Sequence, residues 1–338
     1  MPPGLYFRHA SSLEHDTGSH PENRNRITAI ETELERRDWL GWERRDAPAV
    51  EMDQLLRVHT AEHVAHIREV AERGGGWFDA DTVASRGSYD AALHAAGGAC
   101  AMVDALMAKA APAGFCGLRP PGHHCEVATP MGFCLFNNVA IAAQHALDAH
   151  GAERVAVFDW DVHHGNGTND IFHGSRDVLY VSIHQSPLYP GTGPLRDVGS
   201  GAGEGYTVNL PVPPGAGEPI WLSLVEHVVV PAIRAFDPRL ILVSAGFDGH
   251  RDDELAQCTL ETGSFARMAA WVRVLAQELG VPFGAVLEGG YSLTALAASL
   301  AATLETFAGG GEPVHVDRDA LTDDAAALVG AYWPVGAG

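Results

Sequence analysis

Residues 154–170 read RVAVFDWDVHHGNGTND. Val155 to Phe158 is an apolar run with no polar alternation, which suits a strand buried on both faces of a parallel sheet. Asp159, Asp161 and His163 then follow at every second residue. In extended chain, that period puts all three on one side. Asp161 and His163 can share one cation, and Asp159 stands one step back, where a supporting partner belongs. Gly165-Asn166-Gly167 is read as a turn that ends the stretch. Open α/β sheets carry their chemistry just beyond the carboxyl ends of strands, and this stretch has that order.

Working outward, strands are expected at residues 5–7, 113–118, 178–183, 206–210, 240–245 and 283–287. Helices are expected around 27–34, 51–73, 88–111, 137–150, from about 218 to 235, and over 262–279 and 293–307. Residues 77–87 read as a loop, 211–217 as a proline-rich turn, and the tail from Ala308 has weak patterning. Strands alternating with helices imply a doubly wound, mostly parallel sheet. Residues 119–136, RPPGHHCEVATPMGFCLF, are too rich in Pro and Gly for a regular element. A loop of that length inside a compact domain points to function.

Four strands end in polar groups: Asp159/Asp161/His163, His184, Asp248, and Glu288 with Tyr291. One parallel sheet brings such ends to one edge. Asp161, His163 and Asp248 then offer two carboxylates and one imidazole, leaving coordination positions open as a catalytic metal needs. The donor set allows Zn²⁺, with Fe²⁺ or Mn²⁺ as alternatives.

Composition narrows the class. The chain has 338 residues, 46% hydrophobic, with a formal net charge of −21. That charge disfavours nucleic acid and favours cationic partners. No apolar span of membrane length and no signal peptide are read, and five cysteines suggest no disulfide scaffold, so the expected compartment is the cytoplasm. A homo-oligomer is left open.

The motifs RPPGHH, GFCLFNN, DWDVHHGNGT, SAGFD and LEGGY, in order between about residues 5 and 305, resemble those of the histone deacetylase family. HPEN at 20–23 also fits, although many relatives have Arg where Asn23 stands. The resemblance implies a single arginase/deacetylase-like α/β domain over residues 1–338, with a mostly parallel central sheet flanked by helices. The implied activity is metal-dependent removal of acetyl groups from amines. Asn166 in HHGN, together with LEGGY, points to the class II branch and its bacterial relatives.

By the same resemblance, Asp161, His163 and Asp248 are the metal ligands, and His123 and His124 the tandem histidines. Asp159 orients His123, Asn166 orients His124, and Tyr291 donates to the developing oxyanion. Gly132 offers its carbonyl to the substrate amide, and Phe133 walls a narrow channel. Tyr189 stands on the opposing wall, where many relatives carry Phe. Asp81 is a candidate for binding substrate backbone. Asp159 and Ser182 match the positions of a structural K⁺ or Na⁺. The substrate is an acetylated amine, cationic once deacetylated: acetyl-lysine on proteins or, as the alternative, a small acetylated polyamine. An arginase-like ureohydrolase and a silent acetyl-group binder are the remaining readings.

Of the remaining polar residues, His15 and His20 are expected near the rim, Glu126 as a solvated rim charge, and His164 in a packing role. Glu288 is expected to support its loop. A redox role for Cys125 and Cys134 is open.

Overall fold

The computed structural model describes residues 3–335. Its strands are β1 Leu5–Arg8, β2 Glu43–Asp46, β3 Gly75–Trp77, β4 Val83–Ser85, β5 Ala113–Cys116, β6 Val155–Asp159, β7 Val178–Gln185, β8 Thr207–Val212, β9 Leu240–Ala245 and β10 Phe283–Leu287. Its helices are α1 Asn25–Arg36, α2 Met52–Leu56, α3 Ala61–Glu72, α4 Ser88–Met107, α5 Asn138–His150, α6 Asn166–Phe172, α7 Glu218–Leu224, α8 Val230–Phe236, α9 Thr262–Leu279, α10 Leu293–Phe307 and α11 Ala320–Val329.

Eight strands form one sheet in the order β2-β1-β5-β10-β9-β6-β7-β8, and every ladder in it is parallel. This is the mostly parallel central sheet, flanked by helices, that the motifs imply. The last two strands, β9 and β10, insert between β5 and β6. The loops after β5, β10, β9 and β6 therefore leave the same edge side by side. Alternate residues of β6 enter different cores: Ala156 and Phe158 pack on one face, Val155 and Val157 on the other.

Several expectations need correction. The Gly165-Asn166-Gly167 turn is instead the start of α6, with Gly165 as its cap. β2, Glu-Arg-Arg-Asp, sits at the sheet edge, where charge replaces hydrophobic pattern and guards against further pairing. Within the loop expected at 77–87, Val83–Ser85 pairs with Gly75–Trp77 as a small hairpin. The weakly patterned tail contains α11, capped by Asp319 accepting from Thr322 N and docked by Thr322 on Ser223. The helical run 218–236 has the length and apolarity of a membrane span, against the sequence reading. Its Trp221, Leu222, Leu224, Val225, Val228 and Val229 are all buried in the core, which accounts for that apolarity.

Candidate active site

β6 lies between β7 and β9, with Asp159 opposite Ser182 on one side and Ser244 on the other. Beyond it the chain does not stay extended as the period-two spacing implies: it bends through Asp161–His163, with Asp161 N–H on Asp159 Oδ1 and His163 N–H on Asp161 Oδ1, and this bend brings Asp161 and His163 toward Asp248, just past the end of β9. One donor atom from each of these three residues falls within 4.8 Å of the others. His163 Nδ1 lies 3.2 Å from Asp161 Oδ1 and 3.1 Å from Asp248 Oδ2. The remaining carboxylate oxygens accept backbone N–H bonds, from Gly289 to Asp161 and from Val162 to Asp248. Gly289 is required there, because a Cβ would lie 2.0 Å from Asp248 Oδ2.

Both carboxylates are buried, and no Lys or Arg is among their partners in the described residues. Burial and the neighbouring Asp161 push the Asp248 carboxyl up to about 6. Burial works against charge on His163, but Asp161 and Asp248 outweigh it and raise its pKa to about 10. Two buried anions facing one imidazole form a field that calls for a cation. The donor set and its spacing thus fit a divalent ion of the zinc type.

The long loop after β5 delivers the tandem histidines. Glu288, from the end of β10, accepts from the backbone N–H groups of Gly122 and His123 and from Ser244 Oγ. It therefore supports the histidine loop as well as its own. His123 Nδ1 donates to Asp159 Oδ2 at 3.0 Å. Burial disfavours its cation, yet Asp159 and Asp161 carry its pKa to about 10.

His124 differs. Its Nδ1 meets Asn166 Oδ1 at 2.9 Å, while Asn166 Nδ2 donates to Glu126 Oε1 at 2.9 Å. Glu126 is half-buried and fixes which end of Asn166 faces His124, so it is not the solvated rim charge expected. Neutral His124 therefore carries its proton on Nδ1 and presents a lone pair at Nε2. Burial, then the charges of His123 and His163, hold its pKa well below the ordinary value.

A cavity of about 180 Å³ opens over these groups, lined by Asp81, His124, Gly132, Phe133, His163, Leu188, Tyr189, Leu255 and Tyr291. The Tyr189 ring stands edge-on to His124, 5.2 Å between centroids. The Phe133 ring meets Tyr291 edge-on at 5.7 Å. Phe133 itself adopts a left-handed backbone at φ 69°, held by its N–H on Thr82 Oγ1. Burial and Asp79 raise the pKa of Asp81 at the wall. The Gly132 carbonyl accepts from Cys134 Sγ at 3.2 Å and keeps a second lone pair.

Tyr291 lies on a fixed loop. Its N–H donates to Asp253 Oδ2, Arg26 donates to the carbonyls of Glu288 and Gly290, and the Arg26 guanidinium lies 5.0 Å from the Tyr291 ring centre. The structure thus brings the expected residues together: His124, His163, Gly132, Phe133, Tyr189, Asp81 and Tyr291 on the wall, with His123, Asp159, Asp161, Asn166 and Asp248 behind. Ser182 is adjacent to Asp159 in register, its Oγ 2.9 Å from His184 Nδ1.

His20 contacts the Phe133 ring at 4.4 Å, near the rim as expected. His15 does not: it is buried against Ser88 and Glu22, far from solvent. His164 is buried and meets Thr192, and His184 is buried and meets Gly193 O. All five cysteines are free and buried.

Sequence reasoning missed Tyr180, whose hydroxyl donates to Asp159 Oδ2 at 2.9 Å and lies 3.2 Å from Gly165 O. The available signal was a phenol inside an otherwise apolar strand. Leu188 and Leu255 carried no signal, because an apolar loop residue has no period to betray it.

The comparisons with known proteins agree with this geometry. The Histone deacetylase domain is matched over residues 20–307. The chain is 42% identical over 250 residues to the histone deacetylase-like amidohydrolase of Pseudomonas aeruginosa, covering 73% of this chain and 66% of that protein. It is 38% identical over 312 residues to the human polyamine deacetylase HDAC10, covering 86% of this chain and 45% of that protein. The crystal structure of the HDA15 HD domain superposes with a TM-score of 0.92 at 34% identity, covering 98% of this chain and 95% of that one. Sequence, fold and site converge: this chain belongs to the histone deacetylase family.

Proposed function

We propose that the chain hydrolyses the acetyl amide of lysine side chains in proteins, with a zinc-type ion held by Asp161, His163 and Asp248. The carrying observation is the narrow cavity that runs between Phe133 and Tyr189 and ends on His124, His163 and Tyr291. A cavity of about 180 Å³ with Phe133 and Tyr189 in its lining suits a slender, unbranched aliphatic amide. When bound, the ion polarises a carbonyl and acidifies water. The protein's own groups do the rest.

His124 Nε2 takes the proton of the attacking water and returns it to the leaving amine nitrogen. His123, held cationic by Asp159, stabilises negative charge nearby. The Tyr291 hydroxyl donates to the oxyanion as the carbonyl carbon becomes tetrahedral. Gly132's free lone pair accepts the substrate amide N–H. Asp81, at the wall, accepts backbone N–H groups of a peptide. A monovalent ion, K⁺ or Na⁺, fits beside Asp159 and Ser182 as a structural support.

The second reading is a small acetylated polyamine. It is supported by the net charge of −21 and by a relative that is named for polyamine deacetylation. Against it, Asp81 is the one carboxylate among the cavity-lining residues, beside the apolar Leu188 and Leu255, and the leading reading uses it for peptide backbone.

The test is turnover of acetyl-lysine peptides beside N-acetylated polyamines. A higher kcat/KM on peptides is expected, with activity lost on chelation and restored by Zn²⁺. Tyr291→Phe should lower kcat about a hundred- to a thousand-fold, the usual effect of removing one oxyanion donor. A rate within about threefold of wild type would remove Tyr291 from this mechanism. A preference for polyamines would replace the leading substrate by the second.

A further inference from the structure

Among the described residues, three clusters of ligating side chains lie outside the catalytic cavity. His59, His63 and Cys125 are buried, but both ring nitrogens of His59 are already used, by the carbonyls of Glu126 and Val127 and by Asn137 N–H. His9 and His94 stack face to face, 3.5 Å apart with 12° between planes, so their nitrogens cannot aim at one point.

The third cluster is arranged differently. His145 and His150 stand five positions apart at the end of α5, and Asp104 faces them from α4. Both Nε2 atoms approach the same oxygen, Asp104 Oδ1, each at 2.7 Å. Their rings lie at 88° to one another. Two imidazole nitrogens thus meet at one carboxylate oxygen, and one ligand atom from each of the three residues lies within 4.8 Å of the others. The side chain of Asp104 is 55% exposed and that of His150 25%, so the outer side of the cluster is open to solvent.

We infer that Asp104, His145 and His150 form a second divalent-metal site, of the Zn²⁺, Ni²⁺ or Cu²⁺ class, that staples α4 to α5. Imidazole and carboxylate donors suit those ions. Arg57 does not compete for Asp104, since its charge is engaged by Asp53 and Asp148. The strongly acidic chain raises the local concentration of cations.

Without metal, each neutral ring donates its Nε2–H to Asp104. Metal entry replaces both N–H···O bonds, and the ring proton moves to Nδ1 or, from a cationic ring, to solvent. Acid therefore weakens binding. Gln54 sets the cost at His145. Its Nε2 donates to His145 Nδ1 at 3.0 Å, because its Oε1 accepts from Glu51 N at 3.0 Å. That arrangement keeps the proton on His145 Nε2. In the metal-bound form Nδ1 carries the proton and needs an acceptor. Gln54→Glu supplies one and keeps an oxygen for Glu51 N.

The inference stands apart from the deacetylase reading, and metal content tests it. Protein equilibrated with micromolar Zn²⁺ and gel-filtered should hold about two ions per chain, and Asp104→Ala and His150→Ala about one. Asp248→Ala, which removes a catalytic ligand, should still hold the α4–α5 ion. In an Asp248→Ala background, Ni²⁺ should raise the melting temperature, and adding Asp104→Ala or His150→Ala should abolish that rise. Gln54→Glu should tighten binding about ten- to a hundred-fold, the usual weight of a partner behind a metal-bound imidazole, and Gln54→Leu should not tighten it. Equal occupancy in wild type, Asp104→Ala and His150→Ala overturns the site. So does a tightening by Gln54→Glu that survives Asp104→Ala.

Discussion

The Tyr180 hydroxyl touches Asp159, which orients His123, and the carbonyl of Gly165, which precedes the Asn166 that orients His124. One phenol therefore couples the supports of both histidines. Tyr180→Phe removes that coupling at almost constant volume. Supporting partners of this kind typically carry about ten- to a hundred-fold in activity. The expected outcome is a kcat loss in that range with KM little changed, since Tyr180 does not line the cavity. Steady-state kinetics decide it, and wild-type kcat would show that Asp159 needs no help from the phenol. Legibility at this scale followed chemistry. Asp161, His163 and Asp248 announced themselves because acids and imidazoles at strand ends are unusual. Tyr180 hid because Tyr is an ordinary strand residue, and Glu126 misled because exposure is not written in a sequence.

Between elements, the segment before α1 is locked to the catalytic loops by buried charge. Glu22 pairs with Arg119 through two short bonds and with Arg26 at 3.1 Å, and Arg26 reaches on to the loop carrying Tyr291. Burial alone would raise the Glu22 pKa, but Arg119 and His15 hold it well below the ordinary value. Its folded pKa therefore lies below the unfolded one, near 4.3. The resulting stability is present above that pH and is lost as pH falls through the folded value. Glu22→Gln should destabilise by about 3–5 kcal/mol at neutral pH, as expected when one partner of a buried pair is removed. Denaturant titrations of both proteins should show the gap closing below about pH 4. A constant gap would assign the loss to packing instead. The strands carrying the site were legible because parallel strands buried on both faces are uniformly apolar. β2, the β3–β4 hairpin, α6 and α11 were not, since an edge strand is charged and short elements take their shape from what they dock against.

The whole molecule adds a long-range term that no single residue shows. Twenty-two basic and 43 acidic residues leave a net charge of −21. On the proposed acetyl-lysine substrate, the side chain enters neutral and leaves as a cation, so the field acts on the flanks of the peptide and on the product itself. A peptide with basic flanks is steered in, and an acidic one is repelled. Screening tests this, because the Debye length falls from about 30 Å at 0.01 M salt to about 8 Å at 0.15 M. For a basic-flanked acetyl peptide, kcat/KM should fall severalfold over that range, by at least about tenfold where steering dominates. For an acidic-flanked peptide it should rise. Where product release limits turnover, kcat should rise with salt, because the new ammonium is held less tightly. The two flank series must differ in sign. Parallel responses would mean that salt acts on the fold or the metal, and that the acidic surface serves solubility alone.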